Sequence, residues 1–401
     1  MSVATREDRD IAVAETPRDG YFDLTAEEVA LRERVRGFVR KYVAPIADET
    51  DRTGEFPAEA VAKAAKLGLL GLIVPRAYGG VQAGHLAFAL FVEEVAYACA
   101  ASSVIMDVHT SVGTEPIVLL GSEEQKRRYL PALAAGRMLG AFALTEPEAG
   151  SDAASLRATA RREGDDYVLN GSKIFITNAG RAGLYTVMAA TDRERGARGI
   201  SAFLVEAATP GLTVGAPLHK LGLHGSPTCE VFLHDCRVPA ANRLGAEGEG
   251  FRVAMLALDS GRIGISAQAL GLARAALDEC VAALSEPHRG EIGQGAQFEL
   301  ADMATRIAAA RALTWQAARL CDRGLPFTTT ASMAKLLSTD AAMDIASGAL
   351  ALAGLDAGPE HLARLDRFFR DAKATQLYEG TNQIQRVVIA RNVLNSPAKA
   401  R

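Results

Sequence analysis

The amino-acid sequence predicts an α+β fold: an N-terminal helical domain, a middle β-sheet or barrel domain and a C-terminal four-helix bundle. Two observations carry that reading. Apolar residues recur at helical spacing up to about Ala143, alternate from there to about Phe251, then return to the helical period. The segments beyond Phe251 are long, Ala-rich and amphipathic, the composition of closely packed bundle helices. The implied boundaries are a tail over residues 1–24, helices over 25–142, the β domain over 143–250 and the bundle over 251–401.

The elements follow in order. The opening stretch "MSVATREDRDIAVAETPRDGYFD" mixes acids and bases without an apolar centre, so it reads as a mobile tail and not as a signal or transit peptide. Thr25 with Glu28 three residues later is a capping box, and Val35, Phe38, Val39, Tyr42 and Val43 then share one helical face. "EFPAEAVAKAAKLGLLGLIVP" and "LAFALFVEEVAYACA" continue the helical pattern between Gly and Pro breaks. "DYVLNGSKIFITNAG", "LYTVMAAT", "ISAFLVEA", "LTVGAPL" and "CEVFLHDCRV" are short, rich in β-branched and aromatic residues, and separated by turn residues. They predict a meandering antiparallel sheet or small barrel. The Asn170–Gly171 pair predicts a hairpin inside the first of them. "FRVAMLALDSGRIGISAQALGLARAALDECVAAL", "FELADMATRIAAARALTWQAARLCD" and "TASMAKLLSTDAAMDIASGALALAG" supply the bundle.

Composition removes several function classes. Lys plus Arg number 44 against 48 Asp plus Glu, a net charge of −4, which argues against a nucleic-acid binder. No apolar run reaches the roughly 18–20 residues of a membrane span. Cys99, Cys229, Cys236, Cys280 and Cys321 are scattered, odd in number and set among apolar residues, as in a reduced cytoplasmic protein. "LHKLGLHGSPTCEVFLHDC" gathers His219, His224, Cys229, His234 and Cys236, but without paired CxxC spacing. It reads as two strands joined at "GSP", so no metal site is expected.

Three stretches could carry chemistry. "AFALTEPEAGSD" brings Thr145, Gly150 and Ser151 to the change from helix to sheet, where small hydroxyls and bare backbone can donate to a ring carbonyl or a phosphate. By itself it is equally a capped loop. "KIFITNAG" sets Phe175 and Thr177 two apart on a strand, an aromatic wall beside a hydroxyl that suits a flat heterocycle. A core Phe beside a strand Thr is the commoner case. "QLYEGTNQIQR" holds Glu379 between Tyr378 and Gly380, where burial would raise a carboxylate into the range of a base at neutral pH. The plain alternative is an acidic turn residue.

These stretches, in this order, resemble the acyl-CoA dehydrogenase family. The likeness runs from about Leu24 to Leu394 and includes "GLLGLIVPRAYGG", "IVLLGSEEQKRRYLPAL", "GRIGISAQALGLA" and "FRDAKATQLYEGT". It implies FAD as cofactor and α,β-dehydrogenation of an acyl thioester, with Glu379 abstracting the α proton and the β hydride passing to flavin N5. The resemblance places Phe142, Leu144, Thr145, Gly150, Ser151, Phe175, Ile176, Thr177, Thr381, Asn382 and Gln383 against FAD. It places Ser151, Asp259, Arg262 and Gly380 against the substrate and its carrier, and the Glu379 backbone N–H on the thioester oxygen. One branch of the family carries its base just before the arginine that Arg262 matches; here that residue is Gly261, which leaves Glu379. "SSVIMDVHTSVGTEPI" and "RALTWQAARL" are similar to short-chain, butyryl-type members, so a short or branched acyl group is implied.

Partners implied by the resemblance are an acyl-CoA or acyl-carrier-protein substrate, an electron-transfer flavoprotein as acceptor, and a homo-oligomer, tetramer or dimer. Two segments depart from the family pattern. The usual R-x-x-F-G is replaced by "AALSEPHRGEIGQGAQFELADM", in which Pro287 and three glycines leave Arg289 as the nearby cation. The usual Q-x-x-G-G-x-G appears as "LALAGLDAG", with Leu350 at the glutamine position and only Gly354 and a displaced Gly358 remaining. Both segments would reach a neighbour's FAD. The departures leave three outcomes open: weaker FAD binding, a different protein as neighbour, or another route to the cofactor through Arg289. A non-catalytic subunit and an oxygen-using oxidase stand as competing functions.

Overall fold

A computed structural model of the chain describes residues 23–286, 289–354 and 356–395. Pro287 and nearly all of the expected tail lie outside the described residues. Among the described residues the chain opens with α1 (Ala26–Phe38), α2 (Ala47–Thr53), α3 (Ala58–Lys66), α4 (His85–Ala98), α5 (Ala100–Thr110), α6 (Glu115–Leu120) and α7 (Glu123–Ala134). The capping box forms: Glu28 N–H donates to Thr25 Oγ1 at 3.2 Å and Thr25 N–H to the Glu28 carboxylate at 2.7 Å. Val35, Phe38, Val39 and Val43 are buried along one face, which continues past α1 through a π turn over Val39–Val43. Helix α4 is buried almost all round. Burial of Leu86, Phe88, Leu90 and Phe91 contributes roughly 1.5–3 kcal/mol each to folding.

The sheet comprises β1 (Gly140–Ala143), β2 (Thr159–Glu163), β3 (Asp166–Thr177), β4 (Leu184–Ala190), β5 (Ile200–Glu206), β6 (Leu212–Pro217), β7 (Thr228–Pro239) and β8 (Arg243–Leu244). It opens at Gly140, slightly ahead of the change of period near Ala143. Its order is β6-β7-β3-β2-β4-β5-β8, with β1 also paired to β4. This is a mixed sheet and not a simple meander, because β1 and β2 both run parallel to β4.

The expected hairpin at Asn170–Gly171 does not form: both residues lie inside the single strand β3. Gly171 has φ +146°, and a Cβ there would sit 2.7 Å from Ala158, so glycine is needed for close approach and not for a turn. A bulge falls at this point, and Asn170 spans it by donating to Asp235 Oδ1 and accepting from Asp235 N–H. The "two strands joined at GSP" are likewise one strand: β7 starts at Thr228, and His219 and His224 sit in the loop before it. No group of three or more His, Cys, Asp or Glu among the described residues is placed to hold a metal.

The remaining helices are α8 (Gly250–Leu284), α9 (Gln294–Asp322), α10 (Thr328–Ala353), α11 (Pro359–Thr375) and α12 (Asn382–Asn395). α8 runs through the centre, touching α4, α5, α9, α10 and α11, so the N-terminal helices and the bundle share one core. α10 corrects the sequence reading of membrane spans: it is the one described helix long and apolar enough to cross a bilayer. Here it packs against α8, α9, α11 and α12 and buries Lys335 completely, which makes it a core helix of the bundle.

Candidate active site

One group of residues forms on the sheet. The loop after β1 is pinned by Glu146, whose carboxylate accepts from Lys173 Nζ at 2.7 Å and from the N–H groups of Arg157 and Ala158 at 2.5 and 3.0 Å. Lys173 is fully buried and also donates to Leu144 O, so this ion pair replaces the water that both charges would otherwise need. Ile174 N–H donates to Thr145 O at 2.9 Å, which draws the loop against β3 immediately before Phe175. Gly150 and Ser151 are exposed farther along the loop, and a Cβ on Gly150 would meet nothing.

Phe175 is the unusual member. Its backbone sits at φ +60°, in the left-handed region that disfavours aromatic residues, and its ring is 63% exposed. A bulge between Lys173 and Ile176 places it there. Ile176 points into the sheet core, whereas Phe175 and Thr177 lie on the open side. Phe142 is partly buried and Leu144 is a core residue. An exposed aromatic held in a strained backbone is a ledge for something flat. Asn178, also left-handed, donates to Ile105 O and Gly140 O and so locks the end of β3 to α5 and β1.

The second group forms in the bundle. Glu379 sits at φ +56° and Gly380 at φ +87°, in the turn between α11 and α12. Gln385 Nε2 donates to Glu379 O at 3.1 Å and to Gly380 O at 2.9 Å, and Lys335 Nζ donates to Gly380 O at 3.0 Å. The carboxylate rests on α8 at Gly261, where a Cβ would come within 2.4 Å of Oε2. Oε2 is buried and has no hydrogen-bond partner. Burial raises the carboxyl to about 7, and the nearby charges of Arg262 and Lys335 hold it from going higher. Lys335 is itself brought down to about 7 by burial, against the pull of Glu379.

Other residues from the sequence reading are placed less openly. Arg262 donates to Asp259 at 2.5 Å, and Asp259 accepts from Thr328 Oγ1 at 2.6 Å; the charge of the buried Arg262 is also felt at Glu379, whose carboxyl it lowers. Asn382 is buried, bonding Lys335, Thr339 and Asp340. Thr381 Oγ1 accepts from Ile384 N–H at the start of α12, and Gln383 is exposed. Arg289 donates to Ala353 O at 2.5 Å and Leu352 O at 3.4 Å, a cation on the C-terminus of α10. The two segments that depart from the family pattern therefore meet, and Arg289 is engaged within its own chain. Sequence reasoning missed Lys335, Glu146 and Lys173. A lysine in an otherwise apolar helix such as "SMAKLLS" is the only signal that pointed to the first.

Comparison with known proteins is consistent across all three domains. The acyl-CoA dehydrogenase N-terminal, middle and C-terminal domain models match residues 25–137, 141–236 and 248–394. The chain belongs to the acyl-CoA dehydrogenase family. An acyl-CoA dehydrogenase of Bacillus subtilis is 50% identical over 92% of this chain and 99% of its own. The mouse mitochondrial short-chain specific acyl-CoA dehydrogenase is 45% identical over 91% and 90%. The structure of butyryl-CoA dehydrogenase from Megasphaera elsdenii superposes with a TM-score of 0.89 at 40% identity, covering 93% and 99%. As an acyl-CoA dehydrogenase the chain is an FAD-dependent oxidoreductase acting on CH–CH bonds. The exposed Phe175 ledge, the hydroxyls of Thr145 and Thr177 and the open backbone at Gly150 fit a flat, polar-edged ring such as the flavin.

Proposed function

We propose that this acyl-CoA dehydrogenase oxidises a short-chain acyl-CoA at the bond between its α and β carbons, with Glu379 as the base. FAD, when bound, supplies the acceptor for the β hydride. Glu379 removes the α proton. The seating of its carboxylate against Gly261, with Oε2 buried and without a hydrogen-bond partner, is the observation that carries this reading, and burial raises the group to about 7, into the range of a base at neutral pH. Its left-handed backbone, the two bonds from Gln385 and the Gly261 seat hold the carboxylate in one place before substrate arrives.

Among the described residues the Glu379 backbone N–H has no backbone acceptor, so it is available to the thioester oxygen as negative charge develops there. Arg262 and Lys335 keep the base from staying protonated. Phe175 would back the flavin ring, with Thr177 and Thr145 at its polar edge and Ser151 toward the carrier. The short-chain choice is supported by the relatives and by the α5–α6 sequence. Electrons leave to an electron-transfer flavoprotein, and the chain works as a homo-oligomer.

The test is anaerobic addition of butyryl-CoA to the FAD-loaded enzyme, followed by the loss of flavin absorbance. Wild type is expected to bleach, and Glu379→Gln to retain flavin but bleach about 10²–10⁴-fold more slowly. Unchanged bleaching in the variant rejects Glu379 as base. No bleaching of wild type rejects the short-chain substrate.

A further inference from the structure

Gly261 is not the only glycine of α8 that makes room for a carboxyl group. One turn farther on, a Cβ at Gly264 would lie 2.0 Å from Asp107 Oδ1 and 2.8 Å from its Cγ. Asp107 lies on α5, is 0% exposed, and neither of its carboxyl oxygens has a hydrogen-bond partner. Positions three apart on a helix stand about 5–6 Å apart at Cβ, so the two carboxyls occupy adjacent seats on one face. The base and this second acid thus present three orphan oxygens to one dry wall of glycine backbone.

We propose that Asp107 is a positioning residue for the Glu379 base: the two carboxyls hold one proton between them, and the charge is directed to Glu379 because the cations stand on its side. The proposal rests on Glu379 being the base. Two carboxyls this close in a dry site cannot both ionise readily, and the one nearer positive charge loses its proton first. Arg262 and Lys335 face Glu379. Among the described residues no cation acts on Asp107 in the same way: burial and Glu379 both push its carboxyl well above the usual range, and the Ser111 hydroxyl donates to the Asp107 backbone carbonyl.

The elements packed on α5 bring no other charge that changes this. Strand β1 and the turn Leu69–Gly71 carry no titratable side chain. On α4, Glu93 pairs with Arg274 and Arg311, Glu94 with Arg274 and Arg36, and His85 with Glu115 and Asp322. Helix α3 offers Glu59, Lys63 and Lys66, of which Lys63 lies over the Tyr42 ring. On α5 itself, His109 is held neutral by burial, its value brought down to about 4, with Nδ1 accepting from Gly140 N–H. α8 brings Arg262, paired with Asp259, and from the α11–α12 turn Tyr378 donates to Gln268 Oε1.

The consequence is a base with two settings. While Asp107 keeps its proton it is a neutral acid behind Glu379. Once rising pH ionises Asp107 as well, its charge drives negative charge off Glu379 toward the thioester, which speeds proton abstraction. The experiment follows anaerobic flavin reduction by butyryl-CoA against pH in wild type, Asp107→Asn and Glu379→Gln. Wild type should rise twice, the second step being at least about threefold, and Asp107→Asn should rise once. Glu379→Gln should be slow at every pH; if it is not, the base assignment fails, and the Asp107 assignment with it. If Glu379→Gln is slow and Asp107→Asn still follows the wild-type profile, only the Asp107 proposal is overturned.

Thermal unfolding gives an independent reading. A carboxyl whose folded value is raised contributes stability that is lost as pH rises above its unfolded range, near 4. The Tm advantage of Asp107→Asn over wild type should therefore grow as pH rises, and a difference that stays flat with pH overturns the proposal. Should the asparagine variant not fold, Asp107→Ser carries the same two expectations.

Discussion

Gly261→Ala separates the seat of the base from the stability of the fold. The added Cβ would lie 2.4 Å from Glu379 Oε2, 2.9 Å from Cδ and 3.0 Å from Oε1. Ordinary contact begins near 3.4 Å, so the carboxylate must retreat by about 1 Å. Its backbone cannot follow, because Glu379 is held left-handed by Gln385 and by the neighbouring Lys335–Gly380 bond. The atoms struck are the tip of a side chain and no backbone atom is among them, so overpacking should cost only about 1 kcal/mol, the low end for such substitutions. Misplacement of a catalytic group by about 1 Å costs on the order of 10²-fold in rate. The assay is single-turnover flavin reduction by butyryl-CoA beside thermal unfolding of the FAD-loaded enzyme. The expected pattern is a rate about 10²-fold lower with Tm nearly unchanged. A rate within threefold of wild type at unchanged Tm refutes the reasoning, because Glu379 would then not depend on its seat.

Two further predictions address the groups around the base and the flavin. Because Glu379 is raised to about 7, its ionised fraction and the reduction rate should climb with pH through that value. Lys335→Met removes a cation that favours ionised Glu379, so the climb should move to higher pH, with loss of rate at pH 7 and recovery at alkaline pH. It also removes one donor each from Gly380 O and Asn382 Oδ1, which keep Gln385 and Thr339 as donors, so stability should fall by only about 0.5–1.5 kcal/mol per lost bond; an unmoved pH profile counts against this role. Phe175→Gly should act in opposite directions on the empty and loaded protein. Relief of the left-handed backbone should stabilise the apoprotein by about 1–2 kcal/mol. Loss of the aromatic ledge should weaken FAD retention by about three- to tenfold. Equal retention by the variant and wild type in equilibrium dialysis would remove Phe175 from the flavin site.

Much of the layout is legible along the chain because it is written in local periodicity. The helix–sheet–helix order follows the switch of apolar spacing near Ala143 and Phe251, and the capping box at Thr25 and Glu28 is visible as two letters three apart. The failures have physical causes. Asn170–Gly171 looks like a turn because that pair tolerates left-handed backbone, but here the glycine is needed for the approach of Ala158, a contact that no local window contains. The apolar α10 escaped the membrane count because Lys335, Asp340 and Asp344 interrupt its letters, although they do not prevent burial in a bundle.

For the site, the sequence by itself supplied the candidates: Glu379 in its signature, Phe175 and Thr177 two apart, and Gly261 where another base could stand. Only the tertiary structure decided what surrounds them. It seats Glu379 on Gly261, sets Lys335 and Arg262 beside it and Asp107 behind it, and turns Phe175 out through a strained bulge. Those relations join residues far apart in the chain, and the charge of a carboxyl depends on what surrounds it in space. Periodicity records which face of an element is dry; it does not record which charges share that dryness.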